Sequence, residues 1–489
     1  MTANVQTSAK VANGRTTLVG VTSVTRTVLG YLAMVVAAIV LYFLVRAGGE
    51  DLIAAVPAPA EPGKHVQASS LGQVLLAVAV VIVFARLVGA TFERWLKQPA
   101  VMGEITAGLV LGPSVLGAVS HNAYLRLFPQ AIAPHLGLLA NLGVVLFMFL
   151  VGLGLDPKLL RRNSHAVLAI SHASIVAPFV LGSALALGIF PLYGYGGSGF
   201  TVFSLFLGVS MSVTAFPVLA RILIDRGMEN TPLGATALAC AAVDDVTAWC
   251  LLALVSGVAV AQVGEAAWTL GLLVAYVAFM WIVVRPIVRS LAEREDRSQE
   301  PVSLMVLSIS FGVLLLSAAA TEMIGVHALF GAFVLGTLIP HDGRLAAQLR
   351  AKLEDVVTVL LLPIFFAFTG MRTQIGLLSG WQDWLLTGVI VLVATAGKFG
   401  GSLVAARFVG LGWREAGALG ILMNTRGLME LVVLNVGLDM GVLSPTLFTM
   451  LVLMAVLTTF ATTPVLGLIT GHGGVVPSPV ENVGGGRTG

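Results

Sequence analysis

Two adjacent carboxylates, Asp244 and Asp245, sit inside an otherwise unbroken apolar run from Pro232 to Val260. Placing an Asp at mid-bilayer costs roughly 2.5–3.5 kcal/mol on translocon scales, so a membrane-length helix with two of them needs an offsetting reason. Ionisable groups inside a membrane are functional by default, and buried ion pairs add little net stability, so the pair reads as an ion site. At 3.6 residues per turn the two side chains point about 100° apart. One carboxylate can then face a water-accessible cavity while the other faces a protein partner. By charge that partner is Lys398, alone in VATAGKFGGSLVAA, where Gly397, Gly400 and Gly401 permit close helix approach. Desolvation and a like charge favour the protonated carboxyl and a nearby ammonium opposes them, so such a site can be tuned to trade a proton for a cation.

Two further stretches read as broken helices. In SMSVTAFPVLARIL, Pro217 disfavours helical geometry at Phe216 and removes a backbone donor, freeing carbonyls around Ser212 to Ala215. In NTRGLMELVVLNVG, the polar run Asn424-Thr425-Arg426-Gly427 interrupts apolar sequence and ends at a flexible glycine. Paired discontinuous helices in the two halves of a chain point to a transporter's midplane site, where helix ends and unwound carbonyls offer partial charges to a bare ion. Other candidates are Glu104, buried by hydropathy, and Arg426 with Glu430, whose i, i+4 spacing suits an intrahelical ion pair. His327 has a near-neutral intrinsic titration and is a candidate pH sensor or a satisfied core histidine.

The elements that must position these residues are membrane spans. The chain has 489 residues, 57% hydrophobic and 10% charged, against about 25% charged in a soluble domain. This describes an all-α polytopic membrane protein. Apolar stretches of about 18 residues or more predict 14 transmembrane helices, near 28–46, 71–90, 99–118, 136–155, 166–190, 198–222, 232–260, 266–288, 302–320, 323–340, 355–371, 383–406, 413–437 and 444–470. The alternation of basic loops fits this count with both termini cytoplasmic: 20 of the 27 Lys and Arg fall on the inside, and only Arg46, Lys64, Arg126 and Arg372 outside. Arg86, Lys398 and Arg426 lie within spans, with Arg86 near enough to a helix end to snorkel. Residues 1–27 form a cytoplasmic tail, 28–46 a retained extra helix in preference to a cleaved leader, and 471–489, rich in Gly and Pro, a disordered tail.

Counted from the second span, the Pro217 helix is fifth of six and the double-Asp helix sixth. A linking helix at 266–288 follows, and the Asn424–Gly427 helix is again fifth in 302–470. Two six-helix repeats, 71–260 and 302–470, are thereby indicated by hydropathy and order. No CxxC, HExxH or Walker-type loop is present, and Cys240 and Cys250, ten residues apart, are too distant along one helix for a disulfide. Covalent catalysis, a transition metal, a cofactor, a nucleotide-binding domain and nucleic-acid partners are therefore not expected.

QPAVMGEITAGLVLGPS (98–114), SVTAFPVLARIL (212–223), AAVDDVTAW (241–249), TEMIGVHALFGAFVLGTLIP (321–340), LPIFFAFTGMRT (362–373) and NTRGLMELVVLNVG (424–437) together resemble the monovalent cation:proton antiporter family, which includes bacterial Na+/H+ and Kef-type K+/H+ exchangers and plant cation/H+ exchangers. The resemblance implies a 71–470 exchanger domain with inverted repeats and crossing broken helices. It also implies a homodimer in lipid, in which a core bundle moves against a scaffold by alternating access. It implies that Asp245 binds Na+ or K+ and H+ in turn, that Asp244 pairs with Lys398, and that Thr214 and nearby backbone complete the site. A paired Asp-Asp is associated in the family with electrogenic exchange. Where members commonly carry FLVGLELDP, this chain has FLVGLGLDP, with Gly154 in place of a glutamate. The reading is a secondary antiporter, with pH homeostasis as its setting and a bacterial plasma membrane as its host. Its rivals are an electroneutral K+/H+ efflux exchanger of the same fold and a non-transporting membrane sensor or assembly subunit.

Overall fold

In the computed structural model the described residues are Gly30, 33–50, 71–96, 98–154, 164–194, 199–228, 231–260, 266–297 and 302–470, which excludes the two tails and the 51–70 connection. Their regular structure is helical. The helices are α1 (Ala33–Gly49), α2 (Leu71–Thr91), α3 (Ala100–Leu111), α4 (Ala133–Gly154), α5 (Ser164–Tyr193), α6 (Phe200–Ser212), α7 (Phe216–Asp225), α8 (Pro232–Val260), α9 (Gly271–Arg297), α10 (Leu304–Ile324), α11 (Ala328–Leu338), α12 (Leu362–Arg372), α13 (Trp381–Phe408), α14 (Trp413–Met423), α15 (Leu428–Asp439) and α16 (Pro445–Thr470), with short helical turns between some of them.

Each of the 14 expected stretches has a helical counterpart, but the count of spans is lower. Among the described residues, 11 helices are long and apolar enough to cross a membrane, or up to 12 if the bent pair α14–α15 is one span. Two of the stretches fall below that length among the described residues: the one at 28–46 is described as α1 only from Ala33, and the one at 323–340 is divided by Gly325, whose φ of 91° ends α10 and leaves α11 with 11 residues.

The helices sort into two groups. α2, α3, α4, α10, α11 and α12 pack on one another, whereas α5 to α8 pack with α13 to α16. Each half of the chain thus supplies its first three spans to one group and its next three to the other. The apolar exterior of α1, α2 and α10, with Val36, Leu44, Leu76, Leu87, Leu316 and Met323 all exposed, is the surface expected against lipid tails. Polar contacts join the groups at the margins. Arg372 of α12 bonds Asn435 of α15 at 3.0 Å and also reaches Asp439, and Glu93 lies 3.4 Å from Arg221 of α7.

Two glycines of α13 allow close approach to α5. A Cβ at Gly397 would lie 2.7 Å from Pro178 of α5, and one at Gly401 would lie 2.6 Å from the Ala173 carbonyl. Gly400, expected to share that role, has open space where a Cβ would lie and does not. Gly397 and Gly401 thereby seat Lys398 directly against α5.

Candidate ion-binding site

Both expected breaks exist, and they meet. α6 stops at Ser212, residues 213–215 are extended, and α7 restarts at Phe216 with Pro217 in its first turn, where a missing N–H goes unnoticed. α14 stops at Met423 and α15 restarts at Leu428, bent by 42°. The Ala215 N–H donates to the Thr425 carbonyl at 3.0 Å, stitching one break to the other. Gly427 is required by proximity, since a Cβ there would fall 2.6 Å from Val218 Cγ2.

Asp244 on α8 is fully buried and accepts four donors. Ser171 Oγ donates to Oδ1 at 2.5 Å, while Ser174 Oγ and Thr214 Oγ1 each donate to Oδ2 at 2.6 Å. Lys398 Nζ reaches the same Oδ2 at 3.1 Å, with neither side chain exposed. A carboxylate offers about four lone-pair sites, so Asp244 is close to saturated as an anion. Lys398 also donates to the carbonyls of Ser174 and Ser212. Ser212 is the last residue of α6, so the ammonium sits against the partial negative charge of a helix C-terminus.

Asp245 has different company. The Phe216 backbone N–H, at the start of α7, donates to it, and its Oδ1 is buried without a hydrogen-bond partner. The sequence placed Asp245 at a water-accessible cavity; instead it is only 3% exposed, because α6, α7 and α14 close around that part of α8. Thr214, expected beside Asp245, turns its hydroxyl to Asp244 and contacts the Met423 carbonyl at 3.2 Å.

The remaining candidates separate. Arg426 and Glu430 form a fully buried pair at 3.0 Å, but Arg426 lies in the break before α15 begins, so the pair is not intrahelical. The guanidinium also donates to the Ser210 carbonyl at 3.1 Å and the Met211 carbonyl at 2.9 Å. Arg426 and Lys398 together thus satisfy three carbonyls at the cut end of α6, groups a broken helix would otherwise leave unpaired in an apolar medium. Asn424 sits at the end of α14, beside the crossing. Glu104 and His327 belong to the other helix group. Glu104 pairs with Arg86 at 3.4 Å, and Arg86 further donates to the Thr358 carbonyl, so Arg86 does more than reach for the interface. His327 precedes α11 as its cap and lines a small crevice with Asn141, Asn435 and Asp439. Ser171 and Ser174 escaped the sequence reading. Their signal is present as a polar i, i+3 pair in AISHASIVAP, one face of α5.

The model of the family described as "Sodium/hydrogen exchanger, transmembrane" matches residues 79–470. The Na(+)/H(+) antiporter NhaS4 of Synechocystis sp. is 44% identical over 404 residues, an alignment covering 80% of this chain and 96% of NhaS4. The chain belongs to this family of monovalent cation:proton antiporters. Further members of the family are Cation/H(+) antiporter 17 of Arabidopsis thaliana, 40% identical with 83% of this chain and 49% of its own length covered, and K(+)/H(+) antiporter 1 of Saccharomyces cerevisiae, 34% identical with 83% and 47% covered. The chain spans about half the length of those two relatives. The sodium proton antiporter MjNhaP1 of Methanocaldococcus jannaschii shares the fold, with a TM-score of 0.59 at 15% identity over 81% of this chain and 96% of that one. These relatives are antiporters, transporters and not enzymes, and this family member is an integral membrane protein.

Proposed function

We propose that this protein exchanges a monovalent cation, Na+ or K+, for H+ across a membrane, with cation and proton competing for Asp245. The observation that carries the reading is the unequal treatment of two neighbouring carboxylates where two broken helices cross. Asp244 is held by three hydroxyls and Lys398, and Asp245 keeps a buried oxygen without a partner. Asp245 is the group free to trade ligands. Asp244 and Lys398 set the charge balance around it, and the exchange is electrogenic because the lysine can release a proton in addition to the one on Asp245. Relatives named as Na(+)/H(+) and K(+)/H(+) antiporters support the substrate class.

Alternating access fits the division into two helix groups, with α5 to α8 and α13 to α16 as the moving bundle and the other group as the scaffold. The distribution of three-span units between the groups supports inverted repeats. Both termini are cytoplasmic on the placement of basic residues, the host is a bacterial plasma membrane, and the assembly is a homodimer in lipid. In everted vesicles, adding Na+ or K+ should dissipate a respiration-generated pH gradient, and an undisturbed gradient with either ion would refute the function.

A further inference from the structure

Asp245 Oδ1, Asn424 Oδ1 and Thr425 Oγ1 are side-chain oxygens at the crossing buried without a hydrogen-bond partner, and Glu430 Oε1, whose other oxygen pairs with Arg426, is a further one in the first turn of α15. The first break gathers the residues of the first three. The Thr214 hydroxyl contacts the Met423 carbonyl next to Asn424, the Ala215 N–H holds the Thr425 carbonyl, and the Phe216 N–H holds Asp245. Consecutive residues 214, 215 and 216 therefore hold Met423, Thr425 and Asp245 at one break, so the residues that carry those three orphan oxygens are neighbours there. A single buried orphan is costly and uncommon in a folded protein, and a group of them calls for a ligand. The C-terminus of α14, which ends at Met423, adds partial negative charge at the same point.

We propose that Asn424 and Thr425 are ligands of the transported cation, adding an amide and a hydroxyl oxygen from the second break to the carboxylate of Asp245. This rests on the reading of Asp245 as the exchange group. An all-oxygen set with one charge suits a dehydrated alkali cation. The two neutral oxygens bind a cation without themselves taking up a proton. They govern cation affinity and the choice between Na+ and K+, and leave proton release to Asp245 and Lys398.

The test is exchange by the full-length protein in proteoliposomes, measured over Na+ and K+ series. Thr425→Val and Asn424→Ala should each raise the cation KM about tenfold, as expected for one lost polar ligand, with kcat unchanged and the Na+ to K+ ratio altered. Thr425→Ser should restore the wild-type KM. Should Thr425→Val fail to assemble, Thr425→Cys carries the same expectation, since sulfur is a poor ligand for an alkali cation. Wild-type KM values for both ions in the position-424 variant and in either assembled position-425 variant would overturn the proposal. If Asp245→Asn is inactive in the same assay, that result leaves the proposed function standing. Exchange retained in Asp245→Asn would refute the function itself.

Discussion

Asp244 receives hydrogens from Ser171, Ser174, Thr214 and Lys398, whereas Asp245, one residue further along α8, is held by one backbone N–H and keeps an oxygen without a partner. The difference follows from helix geometry. A rotation of about 100° turns one carboxylate toward α5, α13 and the Thr214 hydroxyl of the first break, and the other toward the start of α7. The face toward α5 is built for permanence, with glycines that bring α13 close and hydroxyls spaced to meet both carboxylate oxygens. The face toward the start of α7 is built from helix ends, where backbone groups and orphan side chains remain available. Under the proposed function, one fold thus gives the same residue type two employments, a fixed counter-charge and an exchangeable ligand.

The largest expected effect falls on the exchangeable side. Asp245→Asn should abolish cation-dependent dissipation of a pH gradient in everted vesicles while leaving the yield of folded protein near wild type. On the fixed side the effect should be on stability. Replacing only Lys398 by Met strands a buried anion, and loss of one partner of such a pair costs about 3–5 kcal/mol, read as a lowered midpoint of thermal unfolding in detergent. The double change Asp244→Asn with Lys398→Met should recover much of that loss, and a purely additive double variant would break the comparison. Ser171→Ala and Ser174→Ala remove hydrogen bonds to a charged group and should each cost about 1.5–3 kcal/mol by the same measurement. The smallest effect separates the glycines. Gly401→Ala should weaken the seat of Lys398, whereas Gly400→Ala, with open space around it, should leave thermal stability unchanged to within about 0.5 kcal/mol.

The strong signals in the sequence were those whose burial in lipid is expensive. Asp244, Asp245, Lys398 and the interruptions at Pro217 and Asn424–Gly427 stand out because charge or a broken backbone in an apolar run demands a reason, and all of them converge in the fold. Ser171 and Ser174 did not stand out because a serine in a helix can satisfy its hydroxyl on its own backbone, so its presence costs little and signals little. The closure around Asp245 was also not legible, since a sequence states which residue is costly and not whether the helices are parted around it. The pairing of Arg86 with Glu104 was missed for a related reason. Each residue looked explicable alone, one by snorkelling and one as a site candidate, and only the packing of α2 on α3 brings them together. The shortness of α11 shows the limit of hydropathy as a count of spans, because an apolar window does not register the turn at Gly325 within it.

The claim that Asp245 exchanges while Asp244 is fixed is tested most directly by comparing two variants in proteoliposomes under an imposed pH gradient. Asp245→Asn removes the proposed exchange group, and Asp244→Asn with Lys398→Met removes the fixed pair while keeping it neutral. The account predicts no Na+- or K+-driven proton flux in the first, and flux that persists in the second with its response to membrane potential reduced or lost. Flux retained by Asp245→Asn and absent from a folded Asp244→Asn, Lys398→Met variant would contradict it.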